Sequence, residues 1–180
     1  RRVARDLEPV DGTPGRGEQL VQASARRDDR VGGVCDSDPA VAETGRPEGR
    51  ELDEKVIELI KGSRTRVIGP NGMGPYCPAT GLVFEREMSD KKGEIAFVAQ
   101  SGALTILLAR VSKVKGLGFS KVISYGNESD LQSHLFFEYM AHDPDTKVVA
   151  SYLEGVKDGP AFIRVLKELA AKKPVVILKG

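Results

Sequence analysis

From Ile95 onward, short mainly apolar runs alternate with longer amphipathic stretches. Ile95–Ala99, 121–125 (KVISY), 147–153 (KVVASYL) and 174–178 (PVVIL) are rich in Val and Ile and bounded by turn residues, which predicts four buried strands. Between the first two, Leu104, Leu107, Leu108 and Val111 recur at helical spacing and predict a helix over about 103–115. A second helix is predicted over about 130–142. A third, over about 160–172, is striped by Phe162, Val165, Leu166 and Leu169, and Pro160 suits its first turn. Strands alternating with helices of this length predict right-handed βαβ units, hence a three-layer α/β domain with a parallel sheet covered on both faces.

The pattern changes upstream. Leu52, Val56, Leu59 and Ile60 form one helical stripe, stopped by Lys61-Gly62-Ser63. Arg66-Val67-Ile68 reads as a short strand ending in Gly69-Pro70-Asn71, so residues 42–71 resemble the last helix and strand of a preceding domain. Residues 72–92 read as a linker with a charged end, Asp90-Lys91-Lys92, and 93–180 as the main domain. Residues 1–41 form a different kind of segment. Their seven basic residues are all Arg, and the first forty residues hold no Ile, Phe, Tyr, Met or Trp. Such a stretch buries too little to offset the entropy of ordering, so a disordered or unrelated leader is expected. The Arg at position 1 fits an incomplete chain.

Charge narrows the partners. Among 180 residues, 27 Lys and Arg face 26 Asp and Glu, so net charge argues for neither nucleic-acid nor membrane binding. Cys35 and Cys77 make neither a disulfide framework nor a metal-ligand spacing, which suits a cytoplasmic protein with no metal site. No apolar run approaches membrane-spanning length.

The candidate chemistry lies at the strand ends. Ligands on open parallel sheets sit where strand order reverses. With a flavodoxin-like order 2-1-3-4, the loops meeting there are Gln100-Ser101-Gly102, Gly126-Asn127 and Glu154-Gly155. A helix entered at Ala103 would aim free N–H groups and a positive dipole end at this point, making an anion seat of Gln100, Ser101, Gly102, Ala103 and Asn127. Glu154 would repel a bare phosphate. It makes sense beside a proton-sharing partner such as a histidine that becomes phosphorylated, and these loops contain none. Simpler readings stand beside this one: a tight turn at 100–102, a capping or solvated role for Glu154, and left-handed turn geometry at Asn127. His134 reads as packing or surface, His142 as a cation near a helix end, and Cys77 as structural. Ser101 lacks the Gly-x-Ser-x-Gly frame of a serine hydrolase.

Six motifs in order, RVIGPN (66–71), GEIAFVAQSGAL (93–104), GFSKVISYGNESD (118–130), YMAHDPDTKVV (139–149), YLEG (152–155) and KPVVILKG (173–180), resemble the NDP-forming acyl-CoA synthetases, which include ADP-forming acetate–CoA ligases and the succinyl-CoA ligase α subunit. The resemblance runs from about Ala42 to the end. It implies a flavodoxin-like domain preceded by a remnant of a CoA-binding Rossmann domain, with an ATP-grasp module, fused or on a β subunit, as partner. It also implies an oligomer when intact, with CoA, ATP or ADP and phosphate as substrates, Mg2+ at the nucleotide module and no tightly bound cofactor. The reaction implied couples acyl-CoA cleavage to nucleotide phosphorylation through an acyl phosphate and a phosphohistidine. By likeness Ser101 and Gly102 match the phosphoryl seat, Glu154 the catalytic glutamate that pairs with the phosphohistidine, and Asn71 the hinge after the CoA domain.

Two departures stand out. Many family members have Cys after Gly-Pro-Asn, whereas this chain has Gly72. The phosphorylated histidine is expected shortly beyond KPVVILKG, so residues 1–180 are expected to be a ligase fragment inactive alone. The rival expectation is a non-catalytic module that senses CoA esters. An FMN-binding flavodoxin is a third, and it lacks a pair of aromatic residues placed to sandwich the flavin.

Overall fold

The computed structural model describes residues 19–22, 47–82 and 88–180. In chain order the elements are β1 (Gln19–Gln22), α1 (Pro47–Ile60), β2 (Thr65–Ile68), β3 (Gly74–Tyr76), β4 (Lys92–Ala99), α2 (Gly102–Lys115), β5 (Phe119–Ser124), α3 (Ser133–His142), β6 (Val148–Leu153), α4 (Gly159–Lys172) and β7 (Val175–Lys179). The main sheet has the order β3-β5-β4-β6-β7. Its four parallel strands therefore follow the expected 2-1-3-4 order, with β4 at the centre. Val98 pairs with Ile123 on one side and Ser151 on the other.

Alternation along β4 builds two cores. Ala96 and Val98 face α3 and α4, where Phe136, Phe137, Met140, Phe162, Val165 and Leu169 are buried. Phe97 and Ala99 face α2, with Ala109, Phe119 and Val122. Because both faces are covered, the central strands carry continuous apolar runs. Phe137 and Phe162 tie α3 to α4 edge to face, 5.0 Å between ring centroids.

Helix α2 turns a different side inward than its leucine stripe suggests. Thr105, Ala109 and Ser112 are its buried residues, flanked by Leu104 and Leu108. Leu107 and Val111 are exposed, and Val114 is 87% exposed. Small side chains let the helix backbone lie close to the sheet. Their hydroxyls are satisfied locally, Thr105 Oγ1 donating to Ser101 O at 2.8 Å and Ser112 Oγ to Ala109 O at 2.7 Å.

The stretch 72–92, expected to be a linker, contributes structure. β3 adds an antiparallel edge strand against β5, with Gly74 opposite Ser124 and Tyr76 opposite Val122. Pro75 lacks a donor, and an edge position tolerates that. A 3-10 turn at Pro78–Thr80 follows. Within the expected disordered or unrelated leader, residues 19–22 form a strand in parallel register with Thr65–Ile68. The rest of 1–41 lies outside the described residues. Among the described residues no helix is long and apolar enough to cross a membrane.

Candidate functional site

The reversal of strand order at β4 opens a cleft at the carboxyl ends of β4, β5 and β6. Asn71, Gln100, Ser101, Gly102, Ala103, Gly126, Asn127 and Glu154 line it. Every site residue expected from the sequence is thus in one place, and Gly126 joins them. The cleft has about 250 Å³ of room, less than the roughly 300–1,000 Å³ of pockets for drug-sized ligands.

Ser101 is the N-cap of α2, with extended backbone (φ −84°, ψ 119°), and its Oγ accepts the Leu104 N–H at 3.2 Å. The hydroxyl hydrogen is still available to donate outward. The Gly102 and Ala103 N–H groups, in the first turn, have no intrahelical acceptor. No acidic residue occupies that turn, so the dipole end is not neutralised locally.

Gln100 plays another part. Its N–H donates to Tyr152 O at 3.2 Å. Its Oε1 accepts the N–H of Glu154 at 2.5 Å and of Gly155 at 3.0 Å, and its Nε2 donates to Glu128 Oε1 at 3.1 Å. It braces one loop against another, and the donors facing the cleft come from its neighbours.

The segment before β3 is stitched to the loop after β5. The Asn127 N–H donates to Pro70 O at 2.9 Å and the Ser129 N–H to Gly69 O at 3.0 Å. Left-handed geometry falls on Asn71, Gly126 and Glu128, at φ near +58°, and not on Asn127, so the turn reading of Asn127 does not hold. At Gly72 a Cβ would meet Ser124 O at 2.6 Å and Gly126 N at 3.0 Å. Any side chain here, the family's cysteine expected from the resemblance included, would need the backbone to move.

Glu154 is exposed. It does not cap α4: Asp158 does, its Oδ1 accepting the Ala161 N–H at 2.9 Å. Glu154 therefore lines the cleft with its backbone held, by Gln100 at the N–H and by Lys179 Nζ at the carbonyl, 3.0 Å.

The residue that sequence reasoning missed is Glu128, 1% exposed in a stretch that reads as an ordinary polar turn. Its Oε2 accepts the Ser133 N–H at 3.0 Å, at the start of α3, while Lys157 Nζ donates to its backbone carbonyl at 2.8 Å. Burial pushes its carboxyl above the usual range, and the Ser133 N–H and the Lys157 charge oppose that shift. A carboxylate just ahead of a helix start was the available signal. Beside it the buried Tyr125 phenol is pushed far up by burial and by the charges of Glu128 and Glu154, so it stays protonated. His134, His142 and Cys77 are not among the cleft's lining residues. Among the described residues no three His, Cys, Asp or Glu side chains gather as a metal site.

Residues 92–180 match the model of the succinyl-CoA ligase-like flavodoxin domain. The ADP-forming acetate–CoA ligase I of Archaeoglobus fulgidus is 41% identical over 135 residues, 74% of this chain and 20% of that one. The α subunit of ADP-forming acetate–CoA ligase II of Pyrococcus furiosus is 38% identical over 150 residues, 83% of this chain and 33% of that one. The chain belongs to the NDP-forming acyl-CoA synthetase family. Among solved structures, a Pyrococcus horikoshii protein superposes with a TM-score of 0.71 at 36% identity, over 77% of this chain and 32% of that one. The dinucleotide-forming acetyl-coenzyme A synthetase 1 of Ca. Korarchaeum cryptofilum, in complex with phosphate and ADP, does so at 0.67 and 33%, over 77% of this chain and 30% of that one. This synthetase-family chain spans about a fifth to a third of the curated relatives it matches.

Proposed function

We propose that this chain is the phosphoryl-steadying part of an NDP-forming acid–CoA ligase. Such an enzyme interconverts acyl-CoA, ADP and phosphate with acid, CoA and ATP. Phosphate displaces CoA from the acyl group, a histidine takes the phosphoryl group from the acyl phosphate, and ADP takes it from the histidine. The observation that carries the reading is the meeting of the α2 N-terminus, whose first turn holds no acidic residue, with the Glu154 carboxylate in one cleft. The N–H groups of Gly102 and Ala103 and the Ser101 hydroxyl would hold phosphoryl oxygens, with little reorganisation as charge shifts. Glu154 would hold the imidazole of the incoming histidine by accepting its second N–H, as carboxylates do for catalytic histidines.

The histidine, the nucleotide with its Mg2+ and the body of the CoA site would come from partner domains: an ATP-grasp module or β subunit, and a CoA-binding domain whose tail is 42–71. Asn71 would lie where that domain joins. The assembly would be cytoplasmic and oligomeric.

The test joins this chain to those partners and counts acid-labile phosphate from labelled ATP. Ser101→Ala is expected to slow labelling about a hundredfold to a thousandfold, on the order expected for one lost donor. Unchanged labelling would remove Ser101 from the site. Acetyl-CoA binding with no labelling of the unaltered protein would favour a CoA-ester sensor instead.

A further inference from the structure

The Gln100 amide has only one orientation that satisfies its surroundings. On one side stand two donors, the N–H groups of Glu154 and Gly155; on the other stands a carboxylate, which only accepts. Turning the amide over would set donor against donor at 154–155 and acceptor against acceptor at Glu128. Glu128 is itself fixed from behind, because its second oxygen accepts the Ser133 N–H at the head of α3. A buried carboxylate in a left-handed backbone position is costly to maintain. Here it is kept with both oxygens engaged, one of them on Gln100.

We propose that Glu128 is a positioning residue of the cleft: through Gln100 it sets where the 154–155 loop, and with it the Glu154 carboxylate, stands opposite the α2 N-terminus. Lys157 closes the same circuit from the far end of that loop, donating to the Glu128 carbonyl. Glu128 does not line the cleft and touches no reacting group. What the positioning serves rests on the phosphoryl reading above; the positioning itself does not.

A swap isolates this role. In Glu128→Gln the new amide cannot satisfy both neighbours. If its oxygen faces Ser133 N–H, its NH2 meets the Gln100 NH2; if its oxygen faces Gln100, its NH2 meets the Ser133 N–H. In the pair Gln100→Glu with Glu128→Gln every donor again meets an acceptor. The carboxylate introduced at position 100 accepts from Glu154, Gly155 and the NH2 of the amide introduced at position 128, and the oxygen of that amide accepts from Ser133.

The experiment is amide hydrogen exchange on the full 180-residue chain, read at Glu154 and Gly155 against Val98 and Val149 in the sheet. Glu128→Gln is expected to speed exchange at Glu154 and Gly155 about tenfold, the effect of one lost hydrogen bond, with the sheet amides unchanged. The swapped pair is expected to restore protection. Exchange at 154–155 unaltered in Glu128→Gln overturns the proposal. So does a loss shared equally by the sheet and not recovered in the pair, which is what a purely structural role produces. Should Glu128→Gln not fold, the pair decides alone. Folding with protected 154–155 amides supports the proposal, and failure to fold, or unprotected amides, overturns it. None of these outcomes depends on phosphate, so a failed phosphoryl reading and a failed positioning role are distinguishable.

Discussion

Asp130 grips Arg66 with both carboxylate oxygens, at 3.0–3.2 Å from Nε and Nη2, and at the same time accepts the buried Val67 N–H at 2.7 Å. One side chain thus anchors the incoming β2 strand to the loop that carries Asn127 and Glu128. Asp130→Ala removes charge-assisted bonds and strands a buried donor, so a loss of about 2–3 kcal/mol is expected in denaturant melts. Proteolysis should then cut first between β2 and β3. A variant that melts like the parent would show that the anchor is dispensable.

At the other end of the sheet, Lys121 Nζ lies 2.7–2.8 Å from both oxygens of Asp143, which also accepts from Thr146 Oγ1 at 2.5 Å. Burial pushes the Asp143 carboxyl up, but the hydrogen bonds from Lys121 and Thr146 outweigh it and hold the group below its usual 3.8. A carboxyl depressed in the folded state contributes stability that is complete above 3.8 and lost as pH falls through the folded value. Asp143→Asn should therefore cost about 2–3 kcal/mol near neutrality, leaving the buried Lys121 only the more exposed Asp145 carboxylate at 3.3 Å, and should flatten the acid limb of stability. Melting temperatures of the two proteins from pH 7 down to about pH 3 check this. Parallel curves would count against the assignment.

Gly126 has φ +57°, and a Cβ there would lie 2.1 Å from Pro70 O and 2.6 Å from the Asn71 carbonyl carbon. Both neighbours are backbone, so no side-chain rotation relieves the contact. Gly126→Ala is expected to cost about 3 kcal/mol or more and to push the two sides of the cleft apart. At Gly102 the nearest atom to an added Cβ is the flexible Met73 Cγ at 3.3 Å. Gly102→Ala should stay within about 1 kcal/mol. Equal losses at the two glycines, by the same melts, would contradict the geometry.

The parallel strands were legible because a strand buried on both faces reads as an unbroken apolar run, as Ile95–Ala99 does. The cleft followed from strand order, and Ser101 from its place just ahead of a helix. What sequence could not supply was partnership at a distance. Gln100 and Glu128 are 28 residues apart, and nothing in QSG or GNESD shows that one side chain orients the other. The short β3, with Pro75 at its middle, carries no strand signal; it forms because β5 leaves an edge to pair.

Helix α2 shows the limit of counting leucines. The larger apolar residues formed the more obvious stripe, yet the sheet accepts Thr105, Ala109 and Ser112 and leaves Leu107, Val111 and Val114 facing out. Leu107→Gln should change stability by no more than about 0.5 kcal/mol. Ala109→Leu, by overfilling the contact with Phe97 and Val122, should cost about 1–3 kcal/mol. If the leucine substitution proved the harmless one and the glutamine the damaging one, the helix would be rotated from the orientation described.

The same serine both caps α2 and faces the cleft, so its two roles need separating. Ser101→Ala removes the acceptor for Leu104 N–H and should cost about 1 kcal/mol of stability whatever the cleft binds. Ser101→Asp keeps a capping oxygen and adds a negative charge that suits the helix dipole, so stability should match or exceed that of the parent. That charge occupies the position from which an anion would be held. Phosphate titration followed by NMR at the Gly102 and Ala103 amides should therefore show weakened binding in Ser101→Ala and none in Ser101→Asp. Thermal melts rank the three proteins in a different order, with alanine alone destabilised. Phosphate shifts that persist undiminished in the aspartate variant would mean that the α2 N-terminus is not the seat, however well it is formed.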